Sequence, residues 1–379
     1  MLDQYRIVVP RKDCQKFREI LGDAKLFDKK RRVLATNDLV ELPILRHPDP
    51  DLDILLRNLG SGSYNLITSP ATEQDEAGVK SLKEKLFIAV SGVVPFSLTT
   101  ELEQEIPDSW EYYGDLLLLP GRSFRDPQWE DSLPEILDLI CQIFGVSRVA
   151  RKNFVVDDDF RSPKTDMMRG SSDGLVSRKE NGITYHFDLT KSMFCAGNIS
   201  EKLRVSRFDC RGETVVDLFA GIGYFTLPYL VHAKANRVIA CEWNPASVEA
   251  LRFNLEYAGV ADRCEVLQGD NREVCPHNVA HRVNLGLIPH SNLSWRTACQ
   301  ALRETGGILH VHGNVESRKE DVKKAKMLEW SETVRDSILR TLQEVKLKQF
   351  RGEILHTECV KSYSPRVFHL VVDLKFFPI

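Results

Sequence analysis

The sequence predicts an α/β protein: a doubly wound, mostly parallel sheet with an antiparallel end pair, preceded by smaller α+β regions. Three observations lead there. From about residue 205, short apolar runs recur at 214–220, 237–243, 264–270, 283–288 and 307–313. Helical patterns such as "PASVEALRFNLEYAG" and "KAKMLEWSETVRDSILRTLQEV" separate or follow them. After the last helix, "GEILHTECVKSYSP" and "FHLVVDLKFF" read as two strands joined by a short turn, hence antiparallel.

Taken in order, the elements begin with "YRIVVPRKDCQKFREILGDAKLFDKKRRVL", which reads as a strand, a helix and a basic cluster. Residues 1–34 hold ten Lys/Arg against five Asp/Glu, so this end is locally positive. "GSGSYNLITSPATEQDEAG" is small and polar without a sustained period and reads as a linker. Residues 97–140 are acidic, eleven carboxylates against two arginines, and are expected as a solvated face turned away from any nucleic acid. Within them "LPEILDLICQIFG" spaces apolar residues for one helix face, with Gly145 as its stop. From Arg148 the sign flips in "RVARKNFVV", and "GITYHFDLT" alternates as a half-buried strand. The expected division is an α+β region at 1–75, a middle α+β region at 76–190 and a ligand-binding region at 191–379.

Composition excludes several classes. The net charge is -3, so nucleic acid would be held by local patches and not by a global field. No apolar run approaches the roughly 18 residues of a membrane span. The start carries charge every few residues and lacks a signal-peptide core. Nine scattered cysteines without a C-x-x-C pair predict no disulfide framework, no metal site and a reducing, cytoplasmic compartment. Without a long exposed apolar stripe, a monomer is expected.

The stretch "VVDLFAGIGYFTLPYL", residues 215–230, runs into Asp217, turns through Gly221 and Gly223, and resumes an apolar pattern. A dinucleotide fingerprint is G-x-G-x-x-G, and here Thr226 stands where the third glycine belongs. Glu242 ends the next run, about 20 residues beyond the turn, where an acid accepts from both ribose hydroxyls. Asp270 and Asn271 end the third run, a carboxylate and an amide within reach of an adenine amine. Ribose and adenine are provided for and a pyrophosphate is not. That pattern points to S-adenosylmethionine in a Rossmann-like class I methyltransferase fold. On the residues alone two other readings stay open: an NAD dehydrogenase, or a sheet in which Glu242 and Asp270 only cap the helices after them.

Five stretches, "FDLTKSMFCAGNISEKLRV", "VVDLFAGIGYFTLPYLVHA", "ACEWNPASVEALRFNLEYAGVADRCEVLQGDNR", "LGLIPHS" and "GGILHVHGNVE", resemble the wybutosine-synthesising aminocarboxypropyltransferases of eukaryotes. That family is sister to the guanosine-N1 methyltransferases that act beside the tRNA anticodon. The resemblance covers residues 180–379 closely and the first 150 more loosely, through "AKLFDKKRRV" and "DLLLLPGRSFRDPQW". It implies transfer of the 3-amino-3-carboxypropyl group of S-adenosylmethionine to carbon 7 of 4-demethylwyosine, 3′ of the anticodon in phenylalanine tRNA. N1-methylating relatives carry Ser-Pro-Arg where this chain has Cys195-Ala196-Gly197, and Asn-Leu-Pro where it has Leu287-Ile288-Pro289. Asn284 lies three positions too early to replace that asparagine. The rivals are a guanosine-N1 methyltransferase and, from another class, a non-catalytic tRNA-binding protein on the same fold.

Carried over by position, the resemblance implies that Cys195, Lys202, Glu242, Asp270 and Asn271 hold the donor, beside Asp217, Gly221 and Gly223 of the turn. Cys195 stands at the family's serine, and a thiol is the weaker donor. His290 is the best-placed titratable group at the fourth strand, although no dedicated base is expected. His310 and His312 are expected as satisfied strand residues, and Tyr224 as the first core residue of its helix. Positive clusters at 25–32, 148–152 and 202–207 are expected to track the tRNA backbone.

Overall fold

The computed structural model describes residues 4–28, 33–35, 38–48, 50–57, 64–69, 81–155, 163–192, 194, 196–317, 320–364 and 366–379. The chain forms two compact units, Met1–Ile88 and Ala89–Ile379.

In the first unit, strands β1 (Gln4–Pro10), β2 (Leu34–Ala35), β3 (Leu39–Ile44) and β4 (Asn65–Ser69) form an antiparallel sheet in the order β2-β3-β1-β4. Ile7 and Val9 alternate on β1 toward Phe17 and Leu21, one turn apart on the helix Cys14–Asp23. The stretch expected as a linker is in part a strand. Residues 65–69 pair with β1, from Gln4 opposite Ser69 to Val8 opposite Asn65, and buried Tyr64 leads into them. The alternation Tyr64, Leu66 was masked by the polar residues on both sides, and the open edge of β1 supplies the hydrogen bonds.

The second unit opens with β5 (Glu111–Tyr113), β6 (Leu116–Leu119), β7 (Arg148–Val155) and β8 (Pro163–Arg169), paired in that order. β6 and β7 run parallel, with the helix Leu133–Phe144 between them in sequence. That helix buries Ile136, Leu137, Ile140 and Phe144 and stops at Gly145, whose φ of 65° carries no side-chain penalty. The acidic stretch 97–140 is not simply a solvated face. Glu105 accepts from the backbone N–H groups of Arg125 (2.6 Å) and Asp126 (2.9 Å) and from Trp129 Nε1 (2.8 Å). Asp115 pairs with Arg148 at 2.6 Å, which pushes its carboxyl down to about 2, and Glu111 pairs with Lys152. Arg151 donates to the Ser123 and Phe124 carbonyls and pairs with Asp166. The basic cluster 148–152 is therefore spent on the acids beside it and is not a free phosphate-tracking surface.

A hairpin, β9 (Leu175–Glu180) and β10 (Ile183–Asp188), leads into the large sheet. There β11 (Thr214–Asp217), β12 (Arg237–Glu242), β13 (Cys264–Gln268), β14 (Arg282–Leu285) and β15 (Gly307–Glu316) are parallel. β17 (Val367–Pro378) lies antiparallel between β15 and β16 (Phe350–Ser364), giving the order β13-β12-β11-β14-β15-β17-β16. Both faces are covered: Val215, Leu227 and Leu251 belong to one buried cluster, and Val216, Ile338 and Leu342 to the other. The long helix Glu320–Lys346 supplies Ile338 and Leu342. The sequential order of the strands reverses at β11, whose neighbours are β12 and β14. That switch point opens a crevice at the carboxyl ends of the strands.

Behind it, Arg282 donates to His310 Nε2 (2.9 Å), and His310 Nδ1 faces Asp373 at 2.5 Å, so His310 is satisfied as expected. His312 is not. Its Nδ1 meets His369 Nε2 at 3.1 Å, and its own Nε2 has no partner. Among the described residues no helix is long and apolar enough to cross a membrane.

Candidate active site

A cleft of about 630 Å³ lies at that switch point. The turn after β11 forms its floor, the ends of β12 and β13 one wall, and the loop after β14 the other. Ser192 and Asn198, from the segment before the sheet, complete it.

Glu242 organises the floor. Its Oε2 accepts from the Gly221 N–H at 2.7 Å and its Oε1 from the Asn244 N–H at 2.9 Å. Burial raises its pKa above the ordinary glutamate value, with these N–H donors working the other way. Gly221 adopts φ 55°, and a Cβ there would overlap the Tyr224 ring. Tyr224 itself lines the cleft as well as packing on the core. The Gly221 N–H is thus committed to a carboxylate. In a dinucleotide site the glycine turn presents its N–H groups to a pyrophosphate, so this geometry disfavours that ligand.

Asp270 caps the helix Asn271–Val274, accepting from Arg272 N at 2.9 Å and pairing with the Arg272 side chain. Asn271 donates from Nδ2 to the Leu218 carbonyl at 3.0 Å, which leaves its buried Oδ1 without a partner. That orphan acceptor suits an exocyclic amine. Asn198 Oδ1 and Ser291 Oγ, also on the cleft wall, are buried without partners. The donor set fits a nucleoside with an amino-acid arm: acceptors predominate, as hydroxyls and amines require.

Gly221, Glu242, Asp270, Asn271 and His290 all line the cleft, His290 on its exposed rim. Three expected residues stand outside the lining. Asp217 is fully buried, its carboxylate accepting from Thr226 Oγ1 (2.8 Å) and Asn284 Nδ2 (3.0 Å), and burial raises its pKa. It ties β11 to β14 beneath the turn. Gly223, at φ 104°, lets the turn pack against Leu227 and Leu251. Lys202 is 2% exposed, ion-paired to Glu180 at 2.6 Å, with its ammonium 4.6 Å from the Phe194 ring centre and 5.5 Å from that of Tyr224. It lies one layer behind the wall. Arg204 is likewise bound to Glu201 and Asp373, so two cations of the 202–207 cluster face inward. Cys195 and positions 29–32 of the first basic cluster lie outside the described residues.

Sequence reasoning missed Ser192, Asn198, Trp243 and Leu293. Trp243 had a signal: an aromatic directly after the acid that ends β12, 44% exposed here. Leu293 is 76% exposed at the rim, and only the structure shows that this loop curls over the cleft. Among the described residues no three His, Cys, Asp or Glu side chains gather as metal ligands.

A family model described as the TRM5/TYW2 methyltransferase domain matches residues 176–338, and one described as the TYW2 N-terminal domain matches 93–174. The human tRNA wybutosine-synthesizing protein 2 homolog is 41% identical over 415 residues, covering 96% of this chain and 92% of that protein. Among solved structures, P. horikoshii TYW2 in complex with MeSAdo shares 30% identity, with a TM-score of 0.59 over 78% of this chain and 99% of that one. The fold alone is shared with the M. jannaschii tRNA m1G37 methyltransferase, at 22% identity and a TM-score of 0.58 over 99% and 100% of the two chains. The architecture is therefore the class I methyltransferase fold that the strand order describes. With identity at this level over nearly its whole length, the chain belongs to the tRNA wybutosine-synthesizing protein 2 family.

Proposed function

We propose that this chain transfers the 3-amino-3-carboxypropyl group of S-adenosylmethionine to carbon 7 of 4-demethylwyosine, the tricyclic base 3′ of the anticodon in phenylalanine tRNA. It is an S-adenosylmethionine-dependent transferase of wybutosine biosynthesis. The observation that carries the reading is Glu242, poised at the switch point with both oxygens already fixed by backbone N–H groups. It holds the ribose, while Asn271 and Asp270 meet the adenine, and Gly221 lets the nucleoside approach the backbone. Asp217, Gly223 and Lys202 act from the layer behind, by shaping that floor.

In the reaction the base's carbon 7 attacks the γ-carbon of the arm, and the bond from that carbon to sulfur breaks. Methylthioadenosine leaves with the electron pair, now neutral. The alkylated ring carries the positive charge and releases its carbon 7 proton to water, with His290 a titratable group on the exposed rim of the cleft. Attack must be in line with the departing sulfur, so positioning of the arm decides which sulfonium substituent is transferred.

Residues 1–75 contribute to tRNA binding, 76–190 form the middle region and 191–379 the donor-binding region. The protein works as a cytoplasmic monomer. Phenylalanine tRNA bearing 4-demethylwyosine, given donor labelled either on the methyl or on the carboxyl carbon, tests the reading. Only the carboxyl label is expected on the tRNA. Methyl label on the tRNA would make the protein a methyltransferase and overturn the proposal.

A further inference from the structure

A second cavity, of about 690 Å³, adjoins the cleft, and Lys191 lines both. The hairpin β9–β10 forms one side of it and the helix Pro245–Tyr257 another. That helix serves both cavities. Ser247 lines the cleft, while Ala246, Glu249, Ala250 and Phe253 line the second cavity at the i, i+3, i+4, i+7 spacing of one helix stripe. Along this helix the two linings lie within about one turn of each other, roughly 5 Å.

Phe253 is 51% exposed and Tyr257, one turn further, 62%; their ring centres are 6.3 Å apart and their planes 19° apart. The His186 ring meets both edge-on, at 5.1 and 4.5 Å, and fixes the pair. His186 is itself held by the fully buried Asn254, which accepts from its backbone N–H at 2.7 Å and donates to its carbonyl at 3.1 Å. The same amide donates to the Ile222 carbonyl at 3.1 Å, in the glycine turn that floors the cleft. A fixed aromatic face turned to water is a stacking platform for a flat ring. Charge narrows the choice of ring. The cavity wall carries four carboxylates, Asp115, Asp173, Asp188 and Glu249, against two cations, Arg148 and Lys191. Asp115 and Asp188 pair with those cations, so two acids are in excess and a phosphate is disfavoured. A base with an exocyclic amine suits, since it stacks by its face and donates from its edge to a carboxylate. Exposed Glu249 stands one turn from Phe253 on the same stripe.

We propose that this cavity takes the base next to the acceptor in the tRNA chain, an amine-bearing base stacked on Phe253 and donating to Glu249. The inference rests on the tRNA substrate given above. Drawing one base into a cleft separates it from its neighbour in the stack, and the neighbour is left with an uncovered face. A platform one helical turn away covers that face and fixes the direction from which the acceptor enters. Phe253 and Glu249 are then RNA-binding residues that select and align the substrate without touching the donor.

Three RNAs test this on wild type, Phe253→Ala, Phe253→Tyr and Glu249→Ala. They are phenylalanine tRNA carrying 4-demethylwyosine, and the same tRNA with an abasic site on the 5′ or on the 3′ side of that base. Phe253→Ala should weaken binding of the intact tRNA, and raise its KM, roughly five- to hundredfold, the worth of one base stacked on an aromatic ring. S-adenosylmethionine should bind within about twofold of wild type, and Phe253→Tyr should keep most of the tRNA affinity. One abasic tRNA should bind wild type as weakly as the intact tRNA binds Phe253→Ala, and the variant should bind that RNA no worse than wild type does. Glu249→Ala should weaken the intact tRNA and leave the same abasic tRNA unchanged. An unchanged KM in Phe253→Ala, an equal loss on the intact and both abasic tRNAs, or a fall in donor affinity overturns the pocket. So does tighter tRNA binding by Glu249→Ala, which would make a phosphate the group held there. Methyl label on tRNA in the wild type, with binding still dependent on Phe253 and on one neighbouring base, would sink the proposed reaction and leave the pocket standing.

Discussion

Replacing Glu242 by glutamine tests the floor of the cleft at one atom. A carboxylate offers about four acceptor positions. The Gly221 and Asn244 N–H groups use one on each oxygen, at 2.7 and 2.9 Å, and one on each remains for a ribose hydroxyl. Glutamine keeps a single oxygen. Whichever way its amide turns, the NH₂ faces one of the two backbone N–H groups, and one ribose hydroxyl loses its acceptor. The other hydroxyl keeps a bond without the charge. With charge-assisted bonds at roughly 1.5–3 kcal/mol and neutral ones at about 1, the loss comes to about 2–5 kcal/mol. At 1.4 kcal/mol per decade that is roughly thirty- to several-thousandfold in Kd. Calorimetric titration with S-adenosylmethionine and with methylthioadenosine should show similar losses, because both carry the ribose. In the wild type, affinity should also fall as pH drops through the raised pKa of Glu242, where protonation removes the charge. Binding by Glu242→Gln within about threefold of wild type, or a loss confined to S-adenosylmethionine, would refute the assignment.

Two further outcomes concern stability. Glu180→Ala strands the buried Lys202 ammonium and should cost about 3–5 kcal/mol in urea unfolding, whereas Glu180→Leu with Lys202→Met should recover most of it. A double variant no more stable than the single would show that the pair is not the cause. His369 is held at about 4 against an ordinary 6.5. The unfolded chain therefore takes up a proton that the folded one refuses. Its contribution is complete above pH 6.5 and lost as pH falls toward 4, about 2 kcal/mol of it by pH 5. Urea curves at pH 7 and pH 5 should show that loss in the wild type and a smaller one in His369→Gln, and equal losses would count against it.

The parallel strands and the floor of the cleft were legible because their signals are local. An apolar run ending in Asp217, Glu242 or the 270–271 pair specifies both a strand and what stands at its end. The strands stop earlier than their apolar runs suggest, β11 at Asp217 and not 220, because the chain turns there to bring Gly221 to Glu242. Charge was poorly legible. Arg148, Lys202 and Arg204 look like a phosphate-binding surface in sequence, but their partners Asp115, Glu180 and Asp373 lie 22–169 positions away. Pairing across such separations has no signature in a single sequence. The strand Asn65–Ser69 escaped for a related reason: its own residues are half polar, and the edge of β1 makes it a strand. The wall at Asn198 and the approach of Lys361 to Gly197 depend equally on a contact between segments far apart in sequence.

The order in which the large sheet is completed has a consequence for synthesis. β17 lies between β15 and β16, yet β16 is made first. While the chain grows, β16 has no neighbour to pair with, and β15 presents a free edge bearing Leu309 and Val311. Both wait for β17, which then pairs with β15 along ten positions, Gly307 to Glu316, and with β16 on its other side. Completion of the sheet should therefore occur late and in one step, with the nascent protein most prone to sticking to its neighbours just before that.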